Sequence, residues 1–158
     1  VDSLMARLRQ DASGQDQPMF AKGARGARQA VAHLRGGGSL AMLVDQKLND
    51  GIEARFFGLP AMTAPAAASL ALHFRCPLVP ARAERIGPAR LRLVVEPPLT
   101  LPESGDRQAD ILALTQQIND RLEVWIRADP GSWLWLHRRW PKGKQPFSEE
   151  RGPKTPDH

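Results

Sequence analysis

From Ala24 to Arg35 the apolar positions Ala27, Ala30, Val31 and Leu34 recur at helical spacing, and Gly36, Gly37 and Gly38 follow at once. Residues three and four apart share one face of an α-helix, and glycine ends helices because it tolerates backbone angles that other residues avoid. The pattern predicts a helix stopped by the glycines. The next run, SLAMLVD over 39–45, is short and apolar up to a closing carboxylate. That is the pattern of a strand buried on both faces whose last residue emerges at a sheet edge. Helix, glycine stop and buried strand make half of an α/β unit.

The polar stretch QKLNDGIEA reads as a loop leading to RFFGLPAMTAP, and AAASLALHFR gives a second helix, with Pro65 suited to its first turn. Two strand candidates, CPLVPARAERI and ARLRLVVEP, are separated by Gly-Pro and predict a hairpin. The second alternates Leu91, Leu93 and Val95 with Arg90, Arg92 and Val94, as expected where one face is wet. After a Pro-rich connection, Asp106 is placed to cap a long helix from Arg107 to about Ala128, whose apolar stripe carries Ile111, Leu114, Ile118, Leu122 and Trp125. Residues 1–10 read as the end of a helix. DPGS breaks the long helix, WLWLHRRW follows over 133–140, and the Pro-, Lys- and Glu-rich residues 142–158 read as a disordered tail.

With 158 residues, 42% of them hydrophobic, the chain has the size and composition of one globular domain. Its 22 basic and 17 acidic residues leave a formal charge of +5, which favours nucleic acid, anionic lipid, phosphorylated substrates or acidic carrier proteins without ranking them. The single cysteine, Cys76, excludes an internal disulfide and a Cys-based zinc cluster. No run of about 18 apolar residues is present, so membrane contact is expected to be peripheral. Because the chain opens on Val1 inside an amphipathic pattern, it is expected to be part of a larger protein.

Few motifs carry chemistry alone. The three glycines precede a strand rather than joining a strand to a helix, so they read as a helix stop and not a phosphate cradle. His33, His73, His137 and His158 have no metal-like spacing, and none is followed five residues later by Asp or Glu. Asp45 and Gln46 are more informative, since the carboxyl end of a buried strand is where open α/β sheets contact ligands; a cap or turn role is the bland alternative. In WLWLHRRW, Trp133, Leu136 and Trp140 would share one helical face. Packing, a membrane-surface strip and a nucleic-acid patch compete for this segment. The nucleic-acid reading is the weakest, because the aromatics make up 6% of the chain and cluster at one end.

Taken together, GARQAVAHLRGGGSLAMLVDQ, FFGLPAMTAPAAASLALHFRCPLVPARAER and LTQQINDRLEVWIRADPGSWLWLHRRW resemble, in order and spacing, the C-terminal half of the lipid A biosynthesis acyltransferases, the lauroyl and myristoyl transferases. The resemblance covers residues 1–141 and is carried by DQ after an apolar strand, FFG.PA.T and LE..IR..P..W.WLH.RW. It implies an α/β fold of the glycerolipid-acyltransferase kind, this chain forming the C-terminal part of a mixed sheet flanked by helices. It also implies transfer of a fatty acyl chain from acyl carrier protein to a hydroxyl of a lipid A precursor or related glycolipid, at the cytoplasmic face of the bacterial inner membrane. Neither cofactor nor metal is implied. The family uses a His-x-x-x-x-Asp/Glu pair, the His as general base for the acceptor hydroxyl, and this sequence lacks that motif, so the chain alone is expected to be inactive.

Carried over residue by residue, the resemblance places Asp45 and Gln46 beside the acceptor pocket and Phe56, Phe57, Gly58 and Thr63 in its wall. Pro80 and Arg82, on a segment similar to the Val-Pro strand of related glycerolipid acyltransferases, approach the same pocket. Arg28 matches a basic position on the helix before DQ, and Arg138 and Arg139 are expected to face phosphate or membrane. Lys47 departs from the acidic or polar residue that follows DQ in the family, which leaves acceptor preference open. The reading from a different class is a basic, non-catalytic module that binds anionic lipid or nucleic acid.

Overall fold

The computed structural model describes residues 18–21, 23–134 and 138–141. The helix end expected over 1–10 and the tail 142–158 lie outside these. The chain divides into two compact units, Val1–Ala41 and Met42–His158.

The first unit contains helix α1, Ala24–Arg35, where the periodicity placed it. The amides of Gly36 and Gly37 donate to the carbonyls of Ala32 and Leu34, both at 3.0 Å, and Gly37 has a φ of 83°. The glycines stop the helix by closing its last carbonyls. Gly26 and Ala30 are buried, and Arg28 is exposed.

The apolar run 39–45 does not form the expected strand. Residues 38–44 are irregular, Asp45 and Gln46 form a bend, and Leu43 is 84% exposed. A doubly buried strand needs neighbours to pair its backbone groups, and among the described residues no strand is in register with this run.

The second unit begins with a β-hairpin in the stretch read as a loop. Strand β1, Lys47–Phe56, pairs antiparallel with β2, Leu59–Thr63, from Phe56 opposite Leu59 at the turn to Ile52 opposite Thr63. Lys47 also registers with Thr63, so residues 48–51 form a bulge. A Cβ on Gly51 would overlap the Thr63 carbonyl, so the bulge closes only on glycine. The turn residues Phe57 and Gly58 both have positive φ, 52° and 76°. Positive φ at both central positions is the geometry that matches the twist of a two-residue hairpin.

Helix α2, Ala66–Phe74, presents the small buried residues Ala67, Ala68 and Ala71. Strands β3, Ala81–Gly87, and β4, Arg90–Val95, form the expected second hairpin. Helix α3, Arg107–Ala128, matches its expected bounds, and the Asp106 side chain accepts from the amides of Gln108 at 2.8 Å and Ala109 at 3.3 Å. Its apolar stripe runs through two clusters. One joins Ile111 and Leu114 to Ala68 and Ala71; the other joins Ile118, Leu122 and Ile126 to Phe56, Phe57, Ala61, Ala67 and Trp140. A short 3-10 turn, Pro130–Ser132, follows.

The fold is therefore α/β, with its strands in two antiparallel pairs. On β4 both sets of the alternation are wet, Arg90 and Arg92 being exposed as well as the leucines. Leu91, Leu93 and Val95 are 64%, 69% and 59% exposed, whereas Arg82 lies over the Trp125 ring of α3 at 5.5 Å. Charged groups fix this orientation: Glu96, just past β4, accepts from Trp125 Nε1 at 2.6 Å and pairs with Arg121 Nε at 3.0 Å.

Candidate functional site

Helix α3 grips the first hairpin through amide side chains. Gln116 accepts from the Arg55 amide at 2.8 Å and donates to the Arg55 carbonyl at 3.0 Å, and Asn119 Nδ2 donates to the same carbonyl at 2.9 Å. A backbone edge that would otherwise need another strand is satisfied by neutral side chains. Asn119 Nδ2 also lies 3.3 Å from Thr63 Oγ1, and the Thr63 hydroxyl donates to the Ala61 carbonyl at 2.9 Å. Near the turn, the Phe57 amide donates to Glu123 Oε1 at 2.5 Å.

The C-terminal segment closes the other side. Residues 135–137 lie outside the described set, and with them the expected inward packing of Leu136. Residues 138–141 are not helical. Trp140 is buried, donates from Nε1 to the Phe56 carbonyl at 3.0 Å, and stacks on the Phe56 ring at 5.5 Å. Trp133 joins the cluster, 5.7 Å from Phe56 and 6.3 Å from Trp140.

Arg139 corrects the expected orientation of the basic pair. Arg138 is exposed, but Arg139 is only 1% exposed and points inward. Its Nη1 donates to the Met62 carbonyl at 2.7 Å, its Nη2 donates to Thr63 Oγ1 at 2.8 Å, and its guanidinium carbon lies 4.9 Å from the Phe56 ring centre. The Nε is buried without a hydrogen-bond partner, as is Asn119 Oδ1. Burial pulls the guanidinium below its ordinary value, and the charge of Asp45 acts in the opposite sense.

Thr63 and Arg139 thus meet in one buried centre, and Asp45 is a neighbouring charge. Asp45 is half-buried two residues before Lys47, which registers with Thr63, and Val44 packs against the aromatic cluster. The other candidates lie elsewhere. Gln46 is exposed; Phe57 and Gly58 occupy the turn, at the opposite end of the hairpin from Thr63. Pro80 and Arg82 belong to the second hairpin, where the Pro80 carbonyl accepts from the Glu96 amide and Arg82 pairs with Glu84 at 2.5 Å. Arg28 lies on α1 in the first unit.

This centre is built from segments spread over nearly the whole second unit, and a family match spans them. The model of the bacterial lipid A biosynthesis acyltransferases matches residues 1–142. The chain belongs to this family. Comparison with curated proteins finds no match. In this lipid A acyltransferase the Thr of FFG.PA.T and the Arg of H.RW are joined directly, and the Asp of DQ is a neighbouring charge. Asn119 and Gln116 were missed from sequence. Their signal was a polar stripe, Gln116, Asn119 and Glu123 at spacings of three and four, running beside the apolar one. Among the described residues of the acyltransferase no helix is long and apolar enough to cross a membrane, and no group of His, Cys, Asp and Glu is arranged to hold a metal ion.

Proposed function

We propose that this lipid A acyltransferase moves a fatty acyl chain from acyl carrier protein to a hydroxyl of a lipid A precursor, and that these 158 residues supply the acceptor side of the site. The observation that supports this reading is the hydrogen bond from Arg139 to Thr63, which joins positions of two family motifs in a buried centre with Asp45 as a neighbouring charge. The His-x-x-x-x-Asp/Glu pair implied by the resemblance belongs to a segment outside these residues. In the reaction the acceptor hydroxyl loses its proton to the His, its oxygen bonds to the acyl carbon, and the carbon–sulfur bond of the thioester breaks to release the carrier thiol. In this reading Asp45 holds the acceptor during that attack. The charge of +5 suits both an acidic carrier and a phosphorylated glycolipid at the cytoplasmic face of the bacterial inner membrane, with peripheral contact.

Two measurements test the reading. In the intact enzyme, with acyl carrier protein as donor and a lipid A precursor as acceptor, Asp45→Ala lowers turnover on the order of 10²-fold or more and leaves the fold intact; unchanged turnover removes Asp45 from the site. The 158-residue chain alone shows no transfer, and turnover by it would refute the division of labour proposed here.

A further inference from the structure

We propose that the outward face of the β3–β4 hairpin is the surface by which this acyltransferase rests on an anionic lipid bilayer. The inference rests on the peripheral membrane contact proposed above and goes beyond it by naming the face. The described aromatics of WLWLHRRW do not supply it: Trp140 is buried, Trp133 packs against the aromatic cluster, and the neighbouring Arg139 is buried too. The second hairpin is different. Its register sets Ala81 opposite Val95, Ala83 opposite Leu93 and Arg85 opposite Leu91. Directly paired residues share a face, and all six on this one are exposed. The other face carries Arg82 and Glu84, both half-buried, with Arg82 over the Trp125 ring. The hairpin thus meets α3 through charged side chains and turns its apolar cross-strand pairs to solvent. A contiguous exposed apolar patch rimmed by polar residues marks an interaction surface.

Charge selects the occupant. Around the patch stand Arg85, Arg90 and Arg92, all exposed. Arg85 is held at the turn end by the Pro88 carbonyl, to which its Nη1 donates at 3.0 Å. The carboxylates of residues 79–98, Glu84 and Glu96, are half-buried and answered by Arg82, Arg92 and Arg121. The outward surface of the hairpin is therefore apolar and cationic. An acidic surface alone would answer the arginines and leave the leucines in water. A second copy would bring two faces of the same sign together. Single-stranded nucleic acid needs aromatic rings to stack on, and residues 79–98 contain none. An anionic bilayer answers both properties: Leu91, Leu93 and Val95 enter the boundary between headgroups and acyl chains, and the guanidiniums stay at the phosphates. From Leu91 to Val95 the strip is about 13 Å long, against about 30 Å of hydrocarbon, so the contact is with the surface layer.

The test places an environment-sensitive fluorophore on Leu93→Cys in the intact enzyme, its native cysteines, Cys76 included, replaced by serine. The emission shifts to the blue on vesicles of equimolar phosphatidylcholine and phosphatidylglycerol and not on phosphatidylcholine alone. Arg85→Gln together with Arg90→Gln raises the lipid concentration that gives half the shift on the order of tenfold. A probe already blue-shifted before lipid is added means that another part of the enzyme or a second copy covers the face, and overturns the inference. So does an equal shift on both kinds of vesicle, or none on either. A shift produced by acyl carrier protein and not by vesicles assigns the face to an acidic protein and overturns it as well. Should Leu93→Cys not fold, Leu91→Cys carries the same measurement. Acyl transfer to a detergent-dispersed lipid A precursor is read in parallel on the unlabelled parent enzyme. Transfer without a shift overturns the membrane face and leaves the proposed reaction standing; a shift without transfer supports the face and refutes the reaction.

Discussion

Two adjacent arginines in HRRW have opposite fates, and the difference decides what the segment does. Arg138 is exposed; Arg139 is sealed against Met62, Thr63 and Phe56. Residue type cannot tell them apart, because hydropathy ranks both as surface residues. The motif H.RW separates them, fixing only the second. The stability of Arg139→Met follows from a balance. Loss of the guanidinium leaves the Met62 carbonyl unpaired, about 1–3 kcal/mol, while Thr63 keeps Asn119 and Ala61 as partners. Relief from burying a cation is of similar size and opposite sign. The expected net change is within about 2 kcal/mol by denaturant titration. The pH dependence is also fixed. Burial lowers the folded guanidinium's value, so the penalty is present in full below it and is relieved only as pH rises through the strongly alkaline window. Between about pH 5 and 9 both states hold the proton, and the stability difference between wild type and Arg139→Met is flat.

The elements show where the sequence was legible. Helices α1 and α3 were readable from spacing and caps, because an amphipathic helix carries its own hydrogen bonds and needs only one buried stripe. The β1–β2 hairpin was not. KLNDGIEA has no alternation, and β1 is held from outside by Gln116 and Asn119, which sit 61 and 64 residues away in the chain from Arg55. The run 39–45 failed for the converse reason: a pattern suited to burial has no strand beside it among the described residues. Glycine substitutions test the hairpin. Gly58→Ala meets no atom within 4 Å, so only the positive φ is penalised, and a loss of about 1 kcal/mol is expected. Gly51→Ala collides with the Thr63 backbone, so the bulge must reopen and the loss is larger, about 2 kcal/mol or more. Equal thermal midpoints for the two variants would mean that the bulge is not closed on Thr63. On the second hairpin, Leu93→Ser changes stability by less than about 0.5 kcal/mol because Leu93 is already wet.

At the scale of the whole second unit, the contacts that build the candidate site are also the ones that close the fold. Trp140 reaches Phe56 across 84 residues, Arg139 reaches Met62 across 77, and Asn119 reaches Thr63 across 56. Two of the family's motifs, FFG.PA.T and H.RW, are far apart in the chain and meet in one centre. A chain ending at residue 134 keeps every helix and both hairpins of the described residues but loses residues 138–141 from that centre. Removing the Trp140 side chain alone is a change of about 3–5 kcal/mol for a buried tryptophan. It strips the stacked face of Phe56 and leaves the Phe56 carbonyl without its indole donor. Against a total stability of about 5–15 kcal/mol, that loss is enough to abolish a cooperative transition in a unit whose hairpins are only two strands wide. The truncated chain is expected to retain its far-UV helical signal and to lose both its near-UV aromatic signal and its sharp thermal unfolding. A truncated chain that melts as sharply as the parent, at the same temperature, would show that WLWLHRRW is an appendage and not the closing wall.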